Sequence, residues 1–207
     1  ANHGTGAGNV TVAGVIGPAQ YFDGNDYVAV PDHASIGAHV VTSLSVSTWF
    51  KSDVLLTRTN DTYRLLEKGD NYFFIQGYGS AGGIVFFFKQ NDTTLNACGN
   101  GADISAGEWH HACGTYDGAA MRLYLDGVLV NSVAKSGPID DDKLPLRIGS
   151  DDSGKYFRGS LDETRVERTV RSADWVKACY DSQKPNSAFA VFGPVVLEQT
   201  GTLIMLH

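Results

Sequence analysis

The sequence predicts an all-β fold in which two antiparallel sheets form a jelly-roll sandwich, with one short helix near the C-terminus. Short runs of alternating apolar and polar residues recur along the 207-residue chain, and this period of two is what half-buried antiparallel strands require. Gly, Asp and Asn residues separate the runs, as expected for tight turns. About a dozen strands in one chain of this size make a two-sheet sandwich the default architecture.

The predicted strands follow one another with short turns between them. From Leu44 to Lys51, successive residues point to opposite faces, with Phe50 on one face and Trp49 on the other. Residues 116–130 form a hairpin, because Asp126-Gly127 is typical of a two-residue turn. Further strands are predicted over residues 20–30, 64–68, 72–77, 83–89, 93–98, 108–116, 127–133, 145–149, 156–168 and 188–193.

One helix is predicted over residues 172–180. Ser172 suits an N-cap position, and an apolar face follows it at helical spacing. A helix this short is expected to cover one end of the sheets. The jelly-roll domain is expected to occupy residues 1–193, and the apolar residues 194–207, which differ from the preceding strands, are expected to form a tail or linker.

Composition and charge exclude several classes of function. The chain has 16 Lys and Arg residues against 23 Asp and Glu residues, which gives a net charge of −7. Because it has no cluster of basic residues, a nucleic-acid partner and a basic membrane-surface patch are excluded. The longest apolar run, residues 84–88, is far shorter than the roughly 20 residues of a membrane span, so no membrane insertion is expected. The chain begins with Ala1 and is therefore interpreted as a processed segment.

The three cysteines leave the redox compartment open. The spacing of Cys98, Cys113 and Cys179 matches no zinc-site pattern. A Cys98–Cys113 disulfide is possible if their strands are neighbours, and three buried free thiols are the alternative.

Several motifs together resemble one family. Residues 21–31 read YFDGNDYVAVP and resemble the opening of laminin-G-like, concanavalin A-like jelly-roll domains. Six further motifs follow in the family's order: LSVSTWFK at 44–51, LEKG at 66–69, WHHACGTYDG at 109–118, LYLDG at 123–127, LRIG at 146–149 and GSLDETR at 159–165. The resemblance covers residues 8–193 and is to the bacterial form of the family, found in large secreted or cell-surface proteins. The acidic loop at 140–142 departs from the family pattern.

The resemblance implies a structural calcium ion. Calcium takes six to eight oxygen ligands, and Asp23, Asn25 and Asp26 offer closely spaced oxygens around Gly24. Asp162 would be the distant ligand, so that the ion ties the first strand to the last. The residues alone leave an alternative, in which residues 23–26 are a polar turn and Asp162 is a strand-end cap.

The resemblance also implies that a concave face or the rim loops bind glycans. Aromatic rings pack against the C–H faces of sugars, while amides and carboxylates bond to hydroxyl groups. Trp49 is expected on the concave side, although packing inside the protein is an alternative for every aromatic residue. The other candidate ligand-binding residues are Tyr63, Tyr72, Tyr78 and Tyr156.

The sequence contains no recognisable catalytic motif. A glycosidase needs two carboxylates held roughly 5–10 Å apart, and the closely spaced acidic string of sandwich-fold glucanases does not occur. His110 and His111 are adjacent on a predicted strand, so they face opposite sides and cannot share a small site.

The sequence therefore predicts a non-catalytic, calcium-stabilised, lectin-like carbohydrate-binding module of a secreted or cell-surface bacterial protein. The expected partners are a polysaccharide or glycan and other domains of a larger protein. Two alternatives stay open. One is a protein-interaction, adhesion or spacer module, and the other is a polysaccharide-degrading enzyme with a divergent site.

Overall fold

Fourteen strands and one helix make up the part of the chain that the structure describes. The structure is a computed structural model, and it describes residues 4–36, 42–57, 63–69, 72–76, 83–91, 94–140 and 143–187. The strands are β1 (Thr5–Ala7), β2 (Val10–Ala13), β3 (Pro18–Asp23), β4 (Tyr27–Val30), β5 (Leu44–Ser52), β6 (Tyr63–Lys68), β7 (Tyr72–Gln76), β8 (Ile84–Gln90), β9 (Thr94–Gly99), β10 (His110–Tyr116), β11 (Ala120–Leu125), β12 (Val128–Ala134), β13 (Leu146–Ile148) and β14 (Arg158–Glu167). The predicted last strand and the predicted tail at 194–207 lie outside the described residues.

The strands form two seven-stranded sheets within the described part of the chain. Sheet A has the order β1-β4-β13-β6-β7-β8-β9, and sheet B has the order β12-β11-β10-β5-β14-β3-β2. Neighbouring strands pair antiparallel in both sheets. The predicted all-β, two-sheet sandwich is thereby confirmed.

The main core lies between the two sheets. In β8, Ile84, Phe86 and Phe88 point into this core, whereas Val85 and Phe87 are buried on the opposite face of sheet A. Alternation within one strand therefore distinguishes the core from the outer face. Burying a phenylalanine side chain contributes about 1.5–3 kcal/mol, so β8 is a main source of the cohesion between the sheets.

A glycine in β10 allows the two sheets to approach closely. A Cβ atom at Gly114 would lie 2.5 Å from Cγ of Phe86 in the facing sheet. The ring of Phe86 therefore packs directly on the backbone of β10.

The hairpin between β11 and β12 is formed by the predicted Asp-Gly turn. Asp126 and Gly127 have φ angles of 52° and 77°, and two consecutive positive values are what a type I′ turn requires. Asp126 N–H donates to the carbonyl of His111 at 2.8 Å, which ties the turn to β10.

Helix α1 (Ala173–Gln183) covers part of the outer face of sheet B. Ser172 is its N-cap, and the Ser172 hydroxyl accepts a hydrogen bond from Trp175 N–H at 3.2 Å. Val176 is fully buried against Cys113 and Tyr124 of sheet B. The predicted helix and its cap are confirmed. Of the helices in the described residues, none has the length and apolar character to cross a membrane.

All three cysteines are free. Cys98 lies in β9 of sheet A and Cys113 in β10 of sheet B, so their strands are not neighbours in one sheet. The thiols are therefore free, as the second alternative held, but only Cys98 and Cys113 are buried and Cys179 is half-buried.

Candidate functional site

Three of the four predicted calcium ligands lie together in the turn between β3 and β4. Their carboxylates are used by hydrogen bonds inside the turn: Asp26 Oδ2 accepts from Asp23 N–H at 3.0 Å, and Asp23 Oδ1 accepts from Asn25 N–H at 3.1 Å. The other oxygen of Asp26 lies against Gly8, since a Cβ at that glycine would be 1.9 Å from Oδ1. This turn matches the polar-turn alternative.

The fourth predicted ligand, Asp162, holds the loop between β2 and β3. Asp162 Oδ2 accepts from Val15 N–H at 2.8 Å and Ile16 N–H at 3.0 Å, and Oδ1 accepts from Glu163 N–H at 2.8 Å. Three backbone donors therefore surround this carboxylate, which acts as a cap.

The strand register separates Asp162 from Asp23. Arg158 pairs with Asp23, and Leu161 pairs with Gln20, so Asp162 lies beyond Gln20 on the far side from Asp23. At about 3.3 Å per residue, the two positions are about 13 Å apart along the strands. The prediction that the sandwich brings them together is wrong. In the described part of the chain no group of three or more His, Cys, Asp or Glu residues could hold a metal ion, and the four predicted ligands cannot all bind one calcium ion.

Trp49 is buried under the helix and does not line an open face. Its side chain is 1% exposed, and its ring stacks on Tyr180 of α1 with centroids 5.4 Å apart and an interplanar angle of 20°. Trp49 Nε1 also donates to Gln183 Oε1 at 2.7 Å. The prediction that Trp49 binds ligand is wrong, because the face opposite the core is covered by α1.

Two of the four predicted tyrosines lie near the same end of β6. Tyr63, at the start of this strand, is 36% exposed. Tyr156 is half-buried, and its backbone bridges to Arg64, the next residue of β6. Tyr72 begins β7, but its side chain and the whole of Tyr78 lie outside the described residues.

A cluster of charged residues lies on the outer face of sheet A, close to Tyr156. Arg64 Nε contacts Glu67 Oε2 and lies 3.5 Å from Asp151 Oδ2. Arg147 Nε contacts a carboxylate oxygen of Asp152. The Arg147 guanidinium also lies over the ring of Tyr27, 4.8 Å from its centroid. We name this set of residues the arginine corner; it consists of Tyr27, Arg64, Glu67, Arg147, Asp151 and Asp152.

Three neighbouring strands and one loop position the arginine corner. Glu67 of β6 pairs with Arg147 of β13, which pairs with Ala29 of β4, so these side chains share one face of the sheet. Asp151 and Asp152 come from the loop that follows β13. Gly149 N–H fixes the start of this loop by donating to the Leu65 carbonyl at 2.7 Å.

The arginine corner has a buried floor and an exposed rim. Glu67 and Asp151 are 7% and 5% exposed and form the floor. The side chains of Arg147 and Asp152 are 25% and 48% exposed and form the rim, beside the half-buried Tyr27. The corner therefore offers charged hydrogen-bonding groups next to a partly exposed aromatic ring.

Asp151 is held in its charged form. Burial alone would raise the pKa of Asp151, but the N–H groups of Lys155 and Ser153, the Ser153 hydroxyl and the Arg64 guanidinium outweigh burial. The three hydrogen bonds from Lys155 and Ser153 each measure 2.8 Å. The pKa therefore lies below its ordinary value, and Asp151 remains a carboxylate at neutral pH.

Glu67 and Asp151 form a buried carboxylate pair that the sequence analysis missed. Both are ion-paired to Arg64 Nε, so the two carboxylates lie close together, as the pair of a glycosidase must, at roughly 5–10 Å. A glycosidase also needs one of the pair to donate a proton, and that group has a raised pKa. Here the pKa of Asp151 is lowered, and one cation, Arg64, contacts both carboxylates, so the arrangement suits hydrogen bonding to a ligand better than proton transfer. Glu67 lies in the LEKG motif, but nothing in the sequence links it to Asp151.

A second network of hydrogen-bonded polar residues lies where β10 begins. His110 Nδ1 is 2.8 Å from Asp126 Oδ2, and His110 Nε2 is 3.2 Å from the Ser105 hydroxyl. The other oxygen of Asp126 accepts from His111 N–H at 2.8 Å, so this carboxylate anchors the hairpin turn. The Ser105 hydroxyl also donates to Glu108 Oε2 at 3.4 Å. This network therefore has a structural role: it holds the hairpin turn against the start of β10.

A depression of about 420 Å³ lies at one end of the sandwich. Its lining includes no aromatic ring, and the Gln90 amide within it already donates to the carbonyls of Ser136 and Pro138 at 3.1 and 3.0 Å. It lacks the stacking surface that the arginine corner has. The lining residues are Gln90, Asn91, Ala119, Ala134, Lys135 and Ser136.

Comparison with known families decides the classification. Residues 22–177 match the family described as the concanavalin A-like lectin/glucanases superfamily. The chain belongs to this superfamily. The family resemblance of the sequence motifs is thereby confirmed. A search of curated proteins finds no significant match to this concanavalin A-like chain.

Solved structures with the same concanavalin A-like fold come from enzymes and toxins. Domain 4 of AbnA, an extracellular GH43 arabinanase from Geobacillus stearothermophilus solved with arabinotriose, has 20% identity and a TM-score of 0.69, with 84% of this chain and 86% of that domain covered. The binding domain of Paraclostridial Mosquitocidal Protein 1 has 14% identity and a TM-score of 0.71, with 87% and 47% covered. The botulinum neurotoxin serotype D ligand-binding domain, solved with N-acetylneuraminic acid, has 15% identity and a TM-score of 0.65, with 88% and 47% covered. The chain thus spans just under half of each toxin binding domain.

Proposed function

We propose that this chain is a non-catalytic carbohydrate-binding module that recognises a polysaccharide or glycan at the arginine corner. The observation that carries the proposal is the contrast between the two outer faces. Helix α1 covers Trp49 on sheet B, whereas sheet A carries Tyr27 and Arg147 at a partly exposed surface.

The chemistry of the arginine corner suits a sugar. The half-buried ring of Tyr27, one face of which lies under the Arg147 guanidinium, offers its remaining apolar surface to sugar C–H groups. The guanidinium and carboxylate groups beside it donate and accept hydrogen bonds in fixed directions, as sugar hydroxyls require. The arabinotriose bound by AbnA domain 4 and the N-acetylneuraminic acid bound by the neurotoxin domain support a glycan as the ligand class.

The same comparisons support an extracellular location for the module, within a larger protein. AbnA is an extracellular enzyme, and the related structure is one of its domains. We infer that the present chain likewise acts outside the cell and holds a larger protein on its polysaccharide.

Calorimetric titration with soluble arabinan, xylan, galactan and β-glucan tests the proposal. Tyr27→Ala and Arg147→Ala should each weaken binding at least about tenfold, as loss of a central aromatic or arginine contact does. Arg171→Ala is the matched control, because Arg171 lies over the ring of Trp175 at 4.3 Å on the opposite side of the sandwich. Binding that survives both corner variants would place the site elsewhere, and no binding to any glycan would refute the function.

A second candidate function, glycoside hydrolysis, is favoured by the pair Glu67 and Asp151. It predicts release of reducing ends from one of the same polysaccharides, with loss of that activity in Glu67→Gln. We expect no release, because Arg64 and the hydrogen bonds to Asp151 leave that carboxylate without a proton to donate.

A further inference from the structure

We propose that the arginine corner selects uncharged glycans and rejects glycans that carry carboxylates. This inference rests on the proposed function and adds the class of ligand to it. It follows from how the charged groups of the corner are already paired.

Both guanidiniums of the corner already have carboxylate partners. Arg64 lies between Glu67 and Asp151, and Arg147 contacts Asp152. Recognition of a ligand carboxylate by arginine relies on two parallel N–H···O bonds from one guanidinium. A ligand carboxylate would therefore meet a guanidinium whose positive charge is already offset by a carboxylate of the protein.

Displacing the protein carboxylates is costly at the floor of the corner. Glu67 and Asp151 are almost fully buried, and a buried carboxylate that loses its cationic partner bears the full cost of its desolvation. Asp151 is further fixed by three hydrogen bonds from Ser153 and Lys155. An acidic sugar would place a fourth negative group beside three, and the two at the floor cannot be displaced cheaply.

Hydroxyl groups meet no such barrier. A carboxylate has about four lone-pair sites and a guanidinium has five N–H donors, so a single contact between Arg147 and Asp152 does not use all the hydrogen-bonding capacity of the two groups. A neutral sugar can bond to Asp152 and Arg147 at the rim while their ion pair stays intact. The net charge of −7 acts in the same direction by repelling polyanions at longer range.

The experiment compares neutral and acidic polymers on the full chain by calorimetric titration. The neutral probes are arabinan, xylan, galactan and β-glucan. The matched probes are polygalacturonate and its methyl ester, which share one backbone and differ in the charge of the carboxyl groups. Affinity for the best neutral polymer should be at least about tenfold higher than for polygalacturonate, and should change less than about twofold between 50 and 500 mM salt, because a neutral ligand has no charge to screen.

Asp152→Asn supplies the second measurement, because it frees Arg147 without touching the buried floor. Its affinity for polygalacturonate should rise by about fivefold or more and become sensitive to salt. Glu167→Gln is the matched control: Glu167 is ion-paired with Arg171 on sheet B, so the change frees an arginine far from the corner. That control should leave the preference unchanged.

Three results would overturn the inference. Tighter binding of polygalacturonate than of any neutral polymer, lost in Arg147→Ala, would refute the selectivity and leave the binding function standing. Tight binding of polygalacturonate that depends on Lys155, tested with Lys155→Gln, would show that a cation outside the ion pairs captures acidic sugars. Failure of every polymer to bind would refute the proposed function together with the inference.

Discussion

Mild acid should destabilise the protein through His111. This side chain is 2% exposed in β10, and its ring lies 5.2 Å from that of Trp49 under helix α1. Burial lowers the pKa of His111 to about 4, with Arg165 acting in the same direction and Asp126 in the opposite one. The folded protein therefore keeps His111 neutral at pH values where the unfolded chain has already bound a proton.

The sign and size of the effect follow from this difference in pKa. Above pH 6.5 the residue is neutral in both states and contributes no pH dependence. Between about pH 6.5 and pH 4 the unfolded state binds the proton more readily, so the free energy of unfolding falls as pH falls. Each pKa unit corresponds to about 1.4 kcal/mol, and the full loss by pH 4 is therefore about 3 kcal/mol.

Urea unfolding at several pH values between 7.5 and 4 measures this loss. His111→Phe keeps a ring against Trp49 but cannot take up a proton, so its free energy of unfolding should fall less steeply with pH, by about 3 kcal/mol over the range. His33→Asn is the control, because His33 is exposed and should leave the slope as in the wild type. Equal slopes for His111→Phe and the wild type would refute the assignment of the pH dependence to His111.

Three further changes test separate parts of the structure by urea unfolding. Gly114→Ala should lower the free energy of unfolding by about 1–3 kcal/mol, because the new methyl group meets the Phe86 ring. In the double variant, Phe86→Leu should recover part of that loss. Asp162→Ala should lower the free energy of unfolding by about 2–4 kcal/mol, because three backbone N–H groups lose their acceptor. The loss should be the same with calcium and with a chelator. A loss that disappears in chelator would contradict the role of Asp162 as a cap. Arg64→Met should lower the free energy of unfolding by about 3–5 kcal/mol at pH 7, because Glu67 and Asp151 are left side by side without this cation. The loss should be smaller at pH 5, where one carboxylate can take up a proton. A loss independent of pH would contradict the ion pairing.

Local patterns in the sequence predicted the elements because each element depends on neighbouring residues. The Asp126-Gly127 pair determines a turn with two positive φ angles, and Ser172 caps the helix that follows it. Alternation also assigned Trp49 to the face opposite the core of β5. It could not show that a helix more than 100 residues later covers that face, since no local pattern records tertiary packing.

The predicted site failed where it depended on register and on distant contacts. The family resemblance implied that the sandwich brings Asp162 to Asp23, but the direction and register of pairing put them at opposite ends of β3. The contact between Arg64 and Asp151 likewise joins β6 to a remote loop. Tyr156 was predicted for its ring alone, and the structure places it beside Arg64.

Backbone amide NMR with the best-binding neutral oligosaccharide tests the proposed location most directly. The largest chemical-shift changes should fall at Tyr27, Arg147 and Asp152, with little change in helix α1. Changes concentrated instead around Lys135 in the depression at the sandwich end, or along α1, would contradict the assignment of glycan recognition to the arginine corner.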